Sequence, residues 1–141
     1  MTVQDYLGQA RWLDQRINSE IAESARLREM IKTVGASSLE AHYNPNRPTE
    51  APFIRGLEKV WEMEEKIDAD IDRLVDLKEQ IRDVIGALPD VKEQLVLTYR
   101  YVHDMAWEQI SDKMHVDTST IRRWHKSALQ NVKLPADIIA V

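Results

Sequence analysis

The chain has 141 residues, 43% of them apolar and 30% charged, with a formal net charge of −5 and no cysteine. That apolar share suffices for a packed core and excludes a disordered chain, while the missing cysteines exclude disulfides, thiolate zinc sites and thiol nucleophiles. No run approaches the ~20 apolar residues that a bilayer crossing needs, and the opening Met1-Thr-Val-Gln-Asp-Tyr6 has neither part of a secretory signal, so a cytoplasmic protein without membrane contact is expected.

From Val3 to about Val34, Val3, Tyr6, Ala10, Leu13, Ile17, Ile21, Ser24, Leu27, Ile31 and Val34 recur at three- and four-residue steps. This spacing predicts a helix with one apolar seam. Arg11, Arg16, Glu20, Glu23, Arg26, Arg28 and Glu29 lie mostly off the seam and read as a solvated face of weak pairs; Trp12 adjoins the seam as a second contact surface. Gly35 is read as the end of this helix. The segment 35–52, with Pro45, Pro48 and Pro52, has no apolar period and reads as a loop, in which His42 and Tyr43 are ordinary loop residues.

A second long helix is predicted from about Phe53 to Leu88. Leu57, Val60, Ile67, Ile71, Leu74, Ile81, Val84 and Leu88 keep a near-heptad step, interrupted by Glu64 and Lys78, which is a coiled-coil seam. With a loop able to reverse the chain, residues 1–87 are expected to form an antiparallel helical hairpin. Trp61, Met63, Val75, Leu77 and Ile85 lie beyond the seam and predict a wider apolar face that a second copy would cover, making a homo-oligomer through these N-terminal helices. Glu62, Glu64, Glu65, Asp68, Asp70, Asp72 and Asp76 are a solvated acidic face rather than a metal site, because a carboxylate di-metal bundle pairs glutamates with histidines and this helix has none.

Gly86 and Leu88-Pro89 mark a boundary. Pro89 suits the first turn of a new helix, whose stripe is Val91, Leu95, Val96, Tyr99 and Val102. Arg100 on it either reaches a phosphate or pairs with an acid. The run Trp107 to Leu129 then reads as helix, tight turn, helix: Ile110, Met114, Val116, Ile121, Trp124, Ala128 and Leu129 fall where two short crossing helices bury them against each other. Asp117 is the expected cap of the second helix, its carboxylate accepting first-turn amides. Thr118, Ser119 and Thr120 occupy that first turn, and from Thr118 to Lys133 the chain holds Arg122, Arg123, Lys126 and Lys133 with no acid. Such a helix favours a polyanion, with hydroxyls placed to reach base edges and cations to grip phosphates or guanines. Trp107 and Trp124 read as core, and His125 as a core-edge or phosphate-contacting residue. Pro135 is read as the end of the last helix, followed by an apolar tail, residues 135–141.

Charge divides along the same boundary. Residues 1–88 carry 12 basic and 17 acidic residues, whereas residues 89–141 carry 7 of each. Local field, not total charge, governs approach to phosphate, so the acidic half keeps to itself and the second helix of the pair is the docking element.

Leu88-Pro89, Arg100-Tyr101, Trp107-Glu-Gln-Ile-Ser111, Val116-Asp117, Thr120-Ile-Arg122 and Ala128-Leu129 resemble, in order and spacing, region four of bacterial sigma factors. The whole chain is similar to small phage-encoded proteins with a helical N-terminal half and such a C-terminal half, the ArpU-type late-gene transcription regulators. The resemblance implies an all-α fold, a helical hairpin followed by a three-helix helix-turn-helix at 88–134. It also implies sequence-specific binding of double-stranded DNA through the helix 118–132, with RNA polymerase as a further partner. Two positions depart from the pattern, His115 in place of the turn glycine and Ser111 in place of a small alanine. Ala106 stands where a serine or threonine cap is usual, which leaves Asp104 as the expected cap.

Enzymes are disfavoured, since the chain has no Gly-rich phosphate cradle, no His-Glu-x-x-His, no Gly-x-Ser-x-Gly and only four scattered histidines; no cofactor or metal is expected. Two alternatives to a regulator share its architecture: the small DNA-recognition subunit of a phage packaging terminase, and a scaffold that contacts RNA polymerase without binding DNA.

Overall fold

Thr2 and Asp5 start the first helix by a reciprocal cap, Asp5 N donating to Thr2 Oγ1 at 3.1 Å and Thr2 N to Asp5 Oδ2 at 3.3 Å. A computed structural model describes the backbone of residues 1–40 and 50–141 and the side chains of 1–33 and 52–141. Among the described residues there are five α-helices and no strand: α1 Val3–Glu40, α2 Glu50–Gly86, α3 Val91–Leu97, α4 Trp107–Met114 and α5 Thr118–Asn131. The fold is all-α. The reading of 35–52 as a loop is corrected at both ends, because α1 continues through Gly35 to Glu40 and α2 begins at Glu50 with Pro52 in its first turn. Glycine weakens a helix but ends one only when it turns left-handed, and no described glycine has positive φ; a first-turn proline gives up an amide that has no partner anyway. Residues 41–49, with His42, Tyr43, Pro45 and Pro48, lie outside the described residues.

The chain divides into two compact units, one of Gln15–Asp72 and one of Met1–Asp14 with Arg73–Val141. In the first, α1 and α2 run antiparallel: Arg16 Nη2 donates to Asp70 Oδ1 at 3.2 Å, and the Arg28 guanidinium meets Glu64 further along. Ile17, Ser24 and Ile31 on α1 and Val60, Ile67 and Asp70 on α2 are buried. Gly56 lets the helices close in, since a Cβ there would meet Ile31 Cγ1 at 2.6 Å. Ile21 and Ile71, both expected in the seam, are instead 46% and 39% exposed. Glu20 and Asp70 take up the inner positions beside them, and burial, with Asp70 adding to it, pushes the Glu20 carboxyl above its ordinary range.

The second unit holds the helix-turn-helix together with the first turns of α1 and the last of α2. The sequence boundary at 87/88 therefore does not separate two bodies. Tyr6, Leu7, Ala10 and Leu13 of α1 and Leu77, Ile81, Val84, Ile85 and Leu88 of α2 are buried. Leu77 and Ile85, predicted to await a second copy, are thus covered within the chain, whereas Trp61 and Val75 remain 57% and 58% exposed. Part of the covering comes from the tail. Gln9 Nε2 donates to Ile139 O at 2.9 Å and its Oε1 accepts from Val141 N at 2.9 Å; Gln80 Nε2 donates to Asp137 O at 2.8 Å and its Oε1 accepts from Ile139 N at 3.1 Å. Tyr6 Oη donates to Gln80 Oε1 at 2.7 Å, and Arg73 donates to Ala140 O. Each amide thus treats the tail as a neighbouring strand would, satisfying backbone groups that would otherwise go unpaired. The last helix stops at Asn131, with Val132 extended at φ −69°, ψ 133°, four residues ahead of the expected stop at Pro135.

In the head, Asp90 caps α3, accepting from Lys92 N at 2.9 Å, so Pro89 lies just ahead of the helix rather than in its first turn. The stripe that α3 buries is Glu93, Val96 and Leu97, while Val91 is 65% exposed. Glu93 accepts from Ser127 Oγ at 2.7 Å and Asn131 Nδ2 at 3.1 Å, tying α3 to α5. A π-helical turn, Thr98–Val102, extends α3, with His103 N donating to Thr98 O at 3.0 Å. Val96, Ile110 and Ile121 are fully buried, and Tyr99, Met105, Trp107, Met114, Val116 and Trp124 pack around them.

The turn between α4 and α5 is closed by the two residues that depart from the sigma pattern. His115 adopts the left-handed conformation, φ 59°, ψ 38°, as a glycine would. Ser111 Oγ donates to Val116 O, and Val116 N donates back to Ser111 O at 3.3 Å. Ala106 starts α4 without a side-chain acceptor, but Gln109 Oε1 accepts its amide at 2.8 Å. Asp104, expected as that cap, lies instead at φ 51° beside Arg11. Two stability measurements test this account. His115→Gly, which relieves a left-handed side-chain clash, should raise unfolding free energy by up to about 1 kcal/mol in a denaturant titration. Glu93→Ala should lower it by about 1–3 kcal/mol, since it removes charge-assisted bonds between α3 and α5; no loss would mean that the apolar contacts alone set the docking of α5.

Candidate nucleic-acid interface

The face that α5 can offer is fixed by the face it buries. Ile121, His125 and Ala128, spaced four and three residues apart, point inward. Ser119, Arg122, Arg123, Lys126 and Gln130 are therefore left on the exposed side, and Lys133, just beyond the helix, is exposed as well. Among the described residues no carboxylate pairs with Arg122, Arg123 or Lys126, so these cations are hydrated and available to an anion. The helix is 14 residues long, roughly 21 Å at 1.5 Å per residue.

Its first turn differs in one respect from the expectation. Asp117 has the extended cap backbone, φ −74°, ψ 161°, and its carbonyl accepts from Ile121 N at 3.2 Å, yet its carboxylate bonds hydroxyls rather than amides. Thr120 Oγ1 and Ser119 Oγ donate to it, the latter at 3.0 Å, and these bonds hold the Asp117 carboxyl below its ordinary range. Thr118 and Thr120 are half-buried and Ser119 is exposed. The two tied hydroxyls have given their protons to Asp117 and are left as acceptors.

Arg100 does not pair with an acid among the described residues. Its Nη1 donates to Met105 O at 3.0 Å, and its guanidinium lies 4.3 Å from the centre of the Trp107 ring, a cation–π geometry. It sits apart from the outward face of α5, although Arg122 approaches the same ring at 6.0 Å. Lys92 similarly caps Trp124, at 5.3 Å. The tryptophans thus serve as half-buried plates on which cations rest.

His125 takes the first of the two places foreseen for it, at the edge of the core. It is buried, its Nε2 hydrogen-bonded to Tyr101 Oη at 2.7 Å, its ring stacked on Tyr101 at 5.7 Å and set edgewise to Trp107 at 4.9 Å. Burial, and then the Arg100 charge, push its pKa down to about 4. The imidazole is therefore neutral at pH 7, with its Nε2 taken up by Tyr101. Its spacing from Ile121 was the available signal, as it falls one helical turn along the buried stripe. Glu93 gave no such signal, because an acid one turn before Val96 reads as a surface residue until Ser127 and Asn131 are placed against it.

A family model described as "Protein of unknown function (DUF722)" matches residues 3–133. The chain belongs to that family. The DUF722 match runs from the start of α1 to just beyond α5 and so spans both the helix pair and the head. No curated protein and no solved structure matches the chain. Among the described residues no helix is long and apolar enough to cross a membrane.

Because the folded pKa of His125 lies below the ordinary value of 6.5, the unfolded chain takes up a proton that the native chain refuses between these two values. Its contribution to stability should be intact above about pH 6.5 and fall as the pH drops towards 4, by on the order of 2–3 kcal/mol in all. Denaturant titrations of the DUF722 protein and its His125→Phe variant should show their stability difference changing over that window and constant above it; a difference flat across the window would mean that His125 titrates normally.

Proposed function

We propose that this DUF722 protein binds duplex DNA sequence-specifically, as a transcription regulator of the phage type, reading a promoter or operator through α5. The observation that carries the reading is the outward stripe of α5, cationic and free of acids, on a helix whose opposite side is fixed in the core of a helix-turn-helix. The left-handed turn residue at 115 supports it as well, since it supplies the turn geometry that the sigma-like pattern requires of a glycine.

The chemistry of the stripe sets what it would read. Arg122 and Arg123 present planar donor forks that match the O6 and N7 acceptors of guanine. Ser119 and Thr120, with their protons given to Asp117, would accept from the amino groups of cytosine or adenine. Lys126 and Lys133, further along, are suited to phosphates. With equal numbers of acids and bases over residues 89–141, one head attracts DNA weakly. Two heads joined through the helical hairpin raise each other's effective concentration. The exposure of Ile54 and Trp61 on α2 and Met30 on α1, at 50%, 57% and 60%, supports self-association in that region.

Selection of bound duplexes from a random pool, run in parallel with the full chain and an Arg122→Ala/Arg123→Ala variant, tests the reading. The full chain should enrich one motif, repeated at a spacing near one helical turn if the protein is a dimer, and the variant should fail to enrich it, each lost guanine contact removing ~1–3 kcal/mol of discrimination. Recovery of no motif by the full chain would overturn the proposal.

A further inference from the structure

Beside the first turns of α1 lies a cleft of about 440 Å³ that the recognition helix does not use. One wall is α1, with Gly8, Arg11 and Trp12; the other is the π-helical turn and the start of α4, with Arg100, Asp104 and Trp107. We propose that this cleft receives a backbone phosphate of the same duplex, clamped between Arg11 and Arg100, with the Trp12 ring packed on the adjoining sugar. The inference rests on the DNA-binding reading and extends it to a helix that carries none of the sigma-like residues.

The two guanidiniums are arranged for this. Arg100 is immobilised, its Nη1 given to the Met105 carbonyl and its plane laid on Trp107, so its remaining N–H groups are fixed donors. Arg11 is looser: its Nε lies 3.7 Å from Asp104 Oδ1, with the two side chains 49% and 61% exposed. An exposed pair of that length is weak and yields to a phosphate, which binds a guanidinium through two parallel bonds. Trp12 is 66% exposed, and its one aromatic-face contact is Arg11, at 5.9 Å from the ring centre. A large apolar ring so placed beside the two guanidiniums is suited to the face of a sugar or base.

The link to α5 is Trp107. Arg100 rests 4.3 Å and Arg122 6.0 Å from the same ring, so the clamp and the reading helix lie within the sum of those distances of each other. Phosphates recur at 3.4 Å of axis per step along a strand, so a duplex read by Arg122 carries phosphates within a few steps of Arg100. Asp5 also lines the cleft, but its carboxylate is taken up by the α1 cap with Thr2. Asp104 is the acid that competes with the ligand.

The test is the salt dependence of binding to the duplex selected above, measured for the full chain and four variants. Arg11→Ala should flatten the slope of log K against log salt by about one, the loss of one phosphate contact, with the enriched motif unchanged. Gly8→Glu should weaken binding although it favours the helix, because a Cβ at position 8 meets no atom within 4 Å and its carboxylate would enter the cleft. Trp12→Ala should weaken binding without altering the slope. Asp104→Asn, which keeps a residue tolerant of the left-handed backbone, should tighten binding several-fold. A wild-type slope for Arg11→Ala and wild-type affinity for Gly8→Glu would overturn the clamp while the α5 reading stands on its Arg122 and Arg123 variant. Absence of any selected duplex would remove that reading and the clamp with it.

Discussion

Everything that the head can do follows from the burial of Ile121, His125 and Ala128 along one side of α5. A helix has one inward stripe, and three residues at four- and three-residue steps consume it. The outward stripe then has no freedom of its own: Ser119, Arg122, Arg123 and Lys126 are set in space by the packing of Val96, Ile110 and Ile121 behind them. The polar contacts reinforce this alignment. Glu93 holds Ser127 and Asn131 near the end of α5, and Tyr101 holds His125 near its middle. A rotation of α5 about its axis would break both together, which makes the orientation of the cations a property of the core.

The head in turn has no boundary with the hairpin at Pro89. Tyr6, Gln9 and Gln80 form a connected polar array whose outer partners are backbone groups of residues 137–141. An amide side chain that both donates to and accepts from one extended segment fixes that segment's register, as a paired strand does. Tyr6 and Leu7 are fully buried in the same unit, so the tail completes a core to which residues from both ends of the chain contribute.

Much of this was legible in the sequence, and its failures share a cause. Helix periods were plain because apolar residues recur over many turns, and the antiparallel hairpin followed from two similar seams. The seam itself was misassigned where a heptad template met a wider interface: Leu77 and Ile85 are buried because α2 is covered on more than one side near its end, and no single stripe accounts for that. Ile21 and Ile71 yielded their places to Glu20 and Asp70, which Arg16 and Lys66 accompany; charged residues with partners on a second helix look identical, in one dimension, to solvated ones. Ser111, Gln9 and Gln80 act through backbone groups distant in sequence or across a turn, and such partners are unreadable until the chain is folded. The cations of α5 were found because their signal, four bases with no acid in sixteen residues, is local.

The cationic stripe of α5 therefore rests on the absence of acids from that helix rather than on an abundance of bases. Residues 89–141 are neutral in sum, and three of their seven acids are engaged elsewhere: Glu93 by Ser127 and Asn131, Asp90 by the amide of Lys92, Asp117 by two hydroxyls. A carboxylate so bound still carries its charge, but it is held at a defined place, and Asp117 is held at the positive end of α5, where the helix dipole offsets it. The middle of α5 itself carries no acid. A chain with an acidic total can in this way present a small cationic surface to a polyanion while the rest of its field opposes unspecific approach, and discrimination then depends on the few side chains that the core has aimed outward.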